Sequence, residues 1–376
     1  MNKIVIGMAG FGSIGRIHQM AYADIPYIYP GKLPEIYLKG VCRSTFEGAK
    51  TTATLSGFDK AYRDYDEVLA DPEVDVIDLV TPNSLHKEQI LKALEAGKHV
   101  LCEKPLVLDA SEAVLLEKAA EKSNVRVGMI FNYRFIPAIM KAKELIEAGL
   151  LGDVYSFRGE YFHTGYQNPE KPYSWRMNFD ESGGGALADL GIHVIDLVRF
   201  LLGDFFSVRA DLKTYINERP LPDGSGKMGK VTVDDAAWMQ CRLVSGGLGS
   251  IEVSRFATGA LDDLNLTVYG SRGSFSFKLM DPNFLYWFDQ LKPGQGWSRL
   301  ETLQTYEEAK IPAPRSVIGW TRFHTENQYR FLKSLQEGSA FSPSLKDGAV
   351  AQYVLDAAYK SGETGNYAQV RMTSAS

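Results

Sequence analysis

The sequence predicts an α/β chain: an N-terminal doubly wound parallel sheet, followed by an α+β half with a largely antiparallel open sheet. Three observations predict it. A glycine-rich turn, Gly10-Phe-Gly12-Ser13-Ile14-Gly15, sits between an apolar run at Lys3–Gly7 and a helical pattern that begins at Arg16. Strand-like and helix-like segments then alternate as far as Phe131, the spacing of a parallel sheet covered on both faces. Beyond Gly149, strand-like runs succeed one another with short turns, which favours antiparallel pairing.

Each element has its own warrant. A G-x-G-x-x-G that leaves a strand and opens a helix is the dinucleotide fingerprint of a Rossmann domain. Gly10 permits the tight turn, Gly12 lets the backbone approach a pyrophosphate, and Gly15 lets helix and strand pack closely. The amides at the helix start, from Ser13 and Ile14 onward, face the phosphates. Pro26–Pro34 reads as a loop. Ile36–Cys42 is the second strand and ends in Arg43-Ser44-Thr45, where an NAD-binding unit usually carries an acid for the ribose hydroxyls. A guanidinium with two hydroxyl side chains suits a 2′-phosphate instead, favouring NADP over NAD by ~1.5–3 kcal/mol. Helices follow at Glu47–Gly57, Tyr65–Ala70, Ser84–Ala96 and Ala110–Ser123, with strands at Val74–Val80, His99–Cys102 and Val125–Phe131. Ligands of such sheets lie beyond the carboxyl ends of the strands. Thr81-Pro82-Asn83, Glu103, Lys104 and Asn132 fall at those ends, and Pro105 stiffens the backbone that carries Lys104.

Past Gly149, Val154–Phe162 alternates as a strand, and a polar loop follows with His163, Tyr166 and Trp175-Arg176. Gly183–Leu202 reads as a helix entered through three glycines. Leu190, Val194, Leu197, Val198 and Leu201 make one apolar stripe. Asp189 and His193, four residues apart, project side by side, and a carboxylate beside an imidazole is the minimal acid/base pair. Three consecutive glycines do not serve helix propensity; they suit a backbone that something approaches closely. Strands are expected at Phe206–Ile216, Asp235–Leu243, Gly247–Phe256, Asp263–Tyr269 and Ser274–Lys278. Asp281–Pro314 reads as an irregular excursion, and helices at Thr321–Glu337 and Leu345–Ser361 close the chain. The implied domains are 1–131, dinucleotide-binding, and 132–376, for substrate and oligomerisation, with a C-terminal helix able to pack back on the first.

Composition narrows the class. At 376 residues two domains are the prior. A net charge of −5 with no Lys/Arg block argues against nucleic acid or an anionic membrane as partner. Three scattered cysteines match no metal or disulfide framework, no apolar run has the length of a membrane span, and the chain enters a strand at once, so a cytoplasmic protein without metal is expected.

These motifs together resemble the glucose–fructose oxidoreductase and inositol dehydrogenase family (Gfo/Idh/MocA). The carriers are Gly10–Gly15, Thr81-Pro82-Asn83 with His86, Glu103-Lys104-Pro105, Asn132-Tyr-Arg134, Trp175-Arg176 and the Asp-x-Gly-x-His of 189–193. The resemblance implies an NAD(P)-dependent oxidoreductase that moves a hydride between nicotinamide and a hydroxyl or carbonyl of a sugar or cyclic polyol. It places the catalytic roles on Lys104, Asp189 and His193, converging on one substrate. Around the cofactor it implies Gly10–Gly15, Thr81, Pro82, Asn83, His86, Glu103, Lys104, Asn132, Trp175 and Arg176, to which the end of the second strand adds Arg43 and Ser44. Around the substrate stand Lys104, Arg134, Tyr161, His163, Tyr166, Asp189 and His193 as candidates. A homodimer or homotetramer through the C-terminal sheet is implied as well. The competing class is a dinucleotide- or sugar-sensing regulator of the same fold, which has no chemical reason to keep the full Lys104/Asp189/His193 set.

Overall fold

The computed structural model describes residues 2–292 and 294–372. The chain divides into two compact units, one of residues 1–107, 111–135 and 304–349, the other of 108–110, 136–303 and 350–376.

The first unit holds a six-stranded parallel sheet. Its strands are β1 (Lys3–Ala9), β2 (Glu35–Cys42), β3 (Lys60–Ala61), β4 (Val76–Leu79), β5 (His99–Cys102) and β6 (Val127–Met129), in the order β3-β2-β1-β4-β5-β6. Connecting them are α1 (Ser13–Ile28), α2 (Phe46–Ser56), α3 (Tyr65–Ala70), α4 (Asn83–Glu95) and α5 (Ala110–Ala120). β4 is buried at every residue and β1 from Ile4 onward, as helices on both faces require. The strand order reverses between β1 and β4, so the crevice beyond their carboxyl ends is the ligand position of such a sheet. A later helix, Trp320–Glu337, packs along α1 in the same unit, and Tyr29 stacks on Tyr329 with ring centroids 3.5 Å apart.

Two local expectations are corrected here. α1 runs through Pro26 to Ile28 instead of stopping at a loop. Ala21, Tyr22, Ile25 and Ile28 are all buried and continue one stripe, and a proline in the last turn forfeits a single backbone bond. The strand expected over Val125–Phe131 is shorter, and Asn132–Phe135 turns away as one stretch of 3₁₀ helix.

The second unit is a nine-stranded mixed sheet. It comprises β7 (Val154–Phe162), β8 (Phe205–Lys213), β11 (Ala236–Leu243), β12 (Leu248–Ser254), β13 (Asp263–Gly270), β14 (Gly273–Lys278), β15 (Phe284–Asp289), β16 (Ser298–Glu301) and β17 (Ala368–Gln369); β9 (Glu218–Pro220) and β10 (Met228–Lys230) form a separate ribbon. The order is β16-β15-β14-β13-β7-β12-β11-β8-β17, and β7 with β12 is its one parallel pair. The excursion expected over Asp281–Pro314 in fact contributes β15 and β16. Phe284-Leu-Tyr-Trp-Phe-Asp289 extends the sheet despite its Gly- and Pro-rich surroundings. Helices α6 (Pro137–Glu147), α7 (Phe179–Ser182) and α8 (Ile192–Leu202) belong to this unit. α8 lies directly on the sheet, since a Cβ on Gly159 of β7 would fall 2.4 Å from Val194. The helix Trp320–Glu337 is α9, and α10 (Leu345–Thr364) closes the helical count among the described residues. No described helix is long and apolar enough to cross a membrane.

The glycine-led stretch is not one helix. α7 ends at Gly183, a π-helical turn spans Leu187–Gly191, and α8 starts only at Ile192. The cause is Asp234. Its carboxylate takes the amides of Gly185 and Leu187, each at 2.8 Å, along with the Tyr359 hydroxyl at 2.9 Å. That carboxylate satisfies donors a helix start would otherwise leave open, and π turns of this kind recur at functional positions.

Candidate active site

In the first unit the fingerprint glycines do what their spacing requires. Gly10 has φ +87°, and a Cβ there would sit 2.5 Å from the Val80 carbonyl oxygen, so the turn lies tight against the end of β4. Nothing lies within 4 Å of a Cβ on Gly12, which stands at the start of α1 with no side chain capping the helix amides. Ser13 is exposed and Ile14 half-buried beside it. An uncapped helix start behind an open glycine fits a pyrophosphate.

The strand ends are braced to one another. Arg43 donates from Nη1 to Thr52 Oγ1 at 2.9 Å along α2, while Ser44 is exposed and Thr45 caps α2. Thr81 donates to Gln89, Pro82 precedes α4, and Asn83 is its first, buried residue. His86 is completely buried with its ring nitrogens 3.0 Å from the Pro105 carbonyl and 3.1 Å from that of Thr81. It thereby ties two strand-end loops, and burial lowers its pKa. Asn132 is buried, and its Nδ2 has no protein partner, a donor placed for a ligand. Arg134, expected among substrate contacts, is 3% exposed with its guanidinium on Ser342 Oγ (2.8 Å) and Asp347 (3.0 Å). Lys104 is half-buried, and its backbone N–H donates to the Glu103 side chain at 3.1 Å.

Behind Glu103 stands a buried charge cluster. His18 of α1 has Nδ1 2.9 Å from Asp78 Oδ2 and Nε2 3.1 Å from Glu103 Oε1. Burial alone would lower the His18 pKa; Asp78 and then Glu103 overturn that and raise it to about 10. Burial likewise opposes ionisation of Glu103, yet the His18 hydrogen bond and charge, then Lys104, bring it down to about 2. The cluster stays charged across the working range. The stability His18 contributes is full below its ordinary 6.5 and lost as pH rises through about 10; that of Glu103 is full above 4.5 and lost as pH falls through about 2.

In the second unit, Asp189 and Tyr166 meet a buried arginine and His163 lies beside Tyr166, while Tyr161 and His193 form a ring pair of their own. Arg255, at the carboxyl end of β12 and 1% exposed, donates from Nη2 to Asp189 Oδ2 at 2.9 Å. Its guanidinium lies 4.4 Å over the Tyr166 ring, which is 6.3 Å from the His163 ring. The His163 Nδ1 accepts the Gly165 N–H at 3.0 Å, which leaves Nε2 to carry the proton; burial lowers this pKa, and Asp189 partly opposes that. The His193 ring, 9% exposed, is 6.1 Å from that of Tyr161, whose hydroxyl donates to Asp262 at 2.6 Å. Arg219 fixes the loop from below by donating to the Tyr166 and Asn168 carbonyls. Trp175 and Arg176 stack on each other on the 3₁₀ turn before α7. Sequence reasoning missed Arg255. Its only local signal is a charge closing an alternating strand, Ile251-Glu-Val-Ser-Arg255.

A glycine turn that opens a helix beside the switch point of a parallel sheet defines a dinucleotide-binding domain. The chain matches an oxidoreductase family with NAD-binding Rossmann fold over residues 4–131 and the GFO/IDH/MocA C-terminal domain over residues 139–276. It is 33% identical to the levoglucosan dehydrogenase of Pseudarthrobacter phenanthrenivorans over all of both chains. It is 27% identical to the myo-inositol 2-dehydrogenase of Thermotoga maritima, covering 95% of this chain and 96% of that one. A levoglucosan dehydrogenase structure in complex with NADH and levoglucosan superposes with a TM-score of 0.93 at 33% identity, covering 98% of this chain and all of the other. The chain belongs to the Gfo/Idh/MocA family of oxidoreductases.

Proposed function

We propose that the enzyme transfers a hydride between a nicotinamide dinucleotide and a secondary hydroxyl or carbonyl of a sugar, sugar derivative or cyclic polyol. The observation that carries this reading is the buried Arg255–Asp189 pair with His163 beside it, in the same unit as the His193–Tyr161 ring pair: polar groups of both signs suited to a hydroxyl-rich ligand. The Gly10–Gly15 turn and the unpartnered Asn132 amide fit the dinucleotide, which supplies the hydride acceptor or donor. His193 takes the hydroxyl proton as the carbonyl forms, and Asp189 orients and charge-balances that ring. Arg255 holds the Asp189 carboxylate, and Lys104 hydrogen-bonds the reacting oxygen and stabilises its developing charge. The remaining strand-end residues, Thr81, Pro82, Asn83 and Glu103, with Trp175 and Arg176, frame the cofactor.

The test is a panel of inositols, aldoses and anhydrosugars, with NAD and NADP offered separately and reduced nicotinamide followed by absorbance. Turnover of at least one such substrate is expected. Cofactor binding without turnover on any of them would favour a sensing role.

The second strand's end supports a preference for NADP. It carries no carboxylate to accept the ribose diol or repel a 2′-phosphate, and Arg43 and Ser44 are both exposed there. NADPH is expected to bind about one to two decades more tightly than NADH, with Arg43→Ala erasing the difference. Equal dissociation constants in the unmodified enzyme would show that Arg43 stays on Thr52 and does not read the phosphate.

A cytoplasmic location is consistent with three free, buried cysteines. Self-association through the large sheet is supported by Trp238, Leu248 and Tyr269, exposed at 40%, 57% and 47%.

A further inference from the structure

We propose that His18 is a positioning residue for Lys104: held by Asp78, it clamps the Glu103 side chain, which in turn fixes the backbone from which Lys104 springs. The chain of contacts lies wholly within the first unit. Asp78 sits in the middle of β4 with no exposed surface, a position that central strands give to apolar side chains. Its two oxygens are 3.0 and 2.9 Å from His18 Nδ1. The opposite nitrogen of the same ring meets Glu103 Oε1 at 3.1 Å, and Glu103 Oε2 accepts the Lys104 N–H at 3.1 Å. A doubly protonated imidazole has one donor for each carboxylate, and a ring nitrogen within 3.1 Å of each suits that form.

The other groups facing the cluster do not compete for that role. Tyr22 of α1 is fully buried against Asp78. His324 of α9 has its ring 5.7 Å from that of His18, is buried, and has no partner on either nitrogen. Burial, then the charge of His18, lowers its pKa to about 3, so it stays neutral and leaves His18 as the cation between the carboxylates. One His324 nitrogen, His18 Nε2 and a Glu103 oxygen lie within 4.8 Å of one another, spacing a metal could use. A metal there would displace the His18 proton and break the clamp, which makes metal content part of the test.

The arrangement links two duties of one helix. α1 begins at the glycines that cradle the dinucleotide, and His18 lies one turn further along it. Seating of the cofactor and placement of the lysine therefore rest on the same rigid piece.

The inference rests on Lys104 as a catalytic group, and the experiment separates the two. kcat and KM are measured for His18→Ala, Glu103→Ala, Lys104→Ala and the double variant His18→Ala/Lys104→Ala, with NADH or NADPH affinity by fluorescence and folding by calorimetry. His18→Ala and Glu103→Ala are each expected to lower kcat roughly 10–100-fold, and His18→Ala, at a residue that does not line the cofactor site, to hold cofactor affinity within about twofold. In the Lys104→Ala background the His18 change is expected to cost less than about threefold, because its effect passes through the lysine. Glu103→Gln, which keeps an acceptor for the Lys104 N–H, is expected to lose less than Glu103→Ala. Near-normal kcat in Lys104→Ala would remove the premise. An impaired Lys104→Ala combined with the full His18 penalty in the double variant would overturn the positioning role alone. Stoichiometric divalent metal in the purified enzyme would overturn it too. If His18→Ala fails to fold, Asp78→Asn, which removes the counter-charge at constant volume, enters the same cycle with the same expectation.

Discussion

His193→Ala is expected to lower turnover by roughly 10²–10⁴-fold while leaving nicotinamide cofactor binding nearly unchanged. The ring sits in the first turn of α8, immediately after the π-helical turn that carries Asp189, and only 9% of the residue is exposed. Such a ring can meet a bound hydroxyl while bulk water is largely kept away, which is the setting in which a positioned base is worth most. None of the dinucleotide-cradling residues, Gly10 to Gly15, belongs to the unit that holds it. Loss of the imidazole should thus fall on kcat and spare the cofactor dissociation constant. Steady-state kinetics on the best substrate of the panel, with the cofactor constant measured separately by fluorescence, checks both halves. The variant's residual rate should also climb with pH, as hydroxide substitutes for the missing base. Near-normal turnover at neutral pH would transfer the base role to another group, with Lys104 the next to examine.

What the sequence made legible was local. The Gly10–Gly15 turn and the alternation of strands and helices in the first half each depend on residues a few positions apart, and both are where they were expected. What escaped depends on partners far away in the chain. Arg255 meets Asp189 across 66 residues, and His18 meets Asp78 and Glu103 across 60 and 85. No periodicity reports such pairs. The break in the Gly183–Leu202 helix escaped for the same reason, since Asp234 imposes it from 47 to 49 residues downstream. The aromatic strand β15 was hidden differently. Turn-forming neighbours outweighed a six-residue run whose pairing partners, β14 and β16, supply its stability. At Pro26 the local rule was real but weak, and the buried face formed by Tyr22, Ile25 and Ile28 overrode it.

Gly185→Ala is expected to destabilise the fold by about 3 kcal/mol and to abolish most activity, although it adds one methyl group. The added Cβ would lie 1.8 Å from the carbonyl oxygen of Asp234 and 2.7 Å from its carbonyl carbon and nitrogen. Those are backbone atoms, so no side-chain rotation can relieve the clash. Asp234 is also the residue least able to retreat. Its carbonyl accepts the Ala186 N–H at 2.9 Å, and its carboxylate holds the amides of Gly185 and Leu187 and the Tyr359 hydroxyl. Any shift that admits the methyl group moves the start of the π-helical turn, and with it Asp189 relative to Arg255. Stability and catalysis should therefore fall together. Gly319→Ala is the comparison: the same chemical change at the N-cap of α9, with nothing within 4 Å of the new Cβ, expected to cost only about 0.5–1 kcal/mol through the lost cap preference and to leave kcat unchanged. Calorimetry on both variants and kcat on the same preparations make the comparison. A Gly185→Ala protein with the melting temperature of the unmodified enzyme would mean that the Asp234 backbone yields easily, and that the three glycines are not there to admit it.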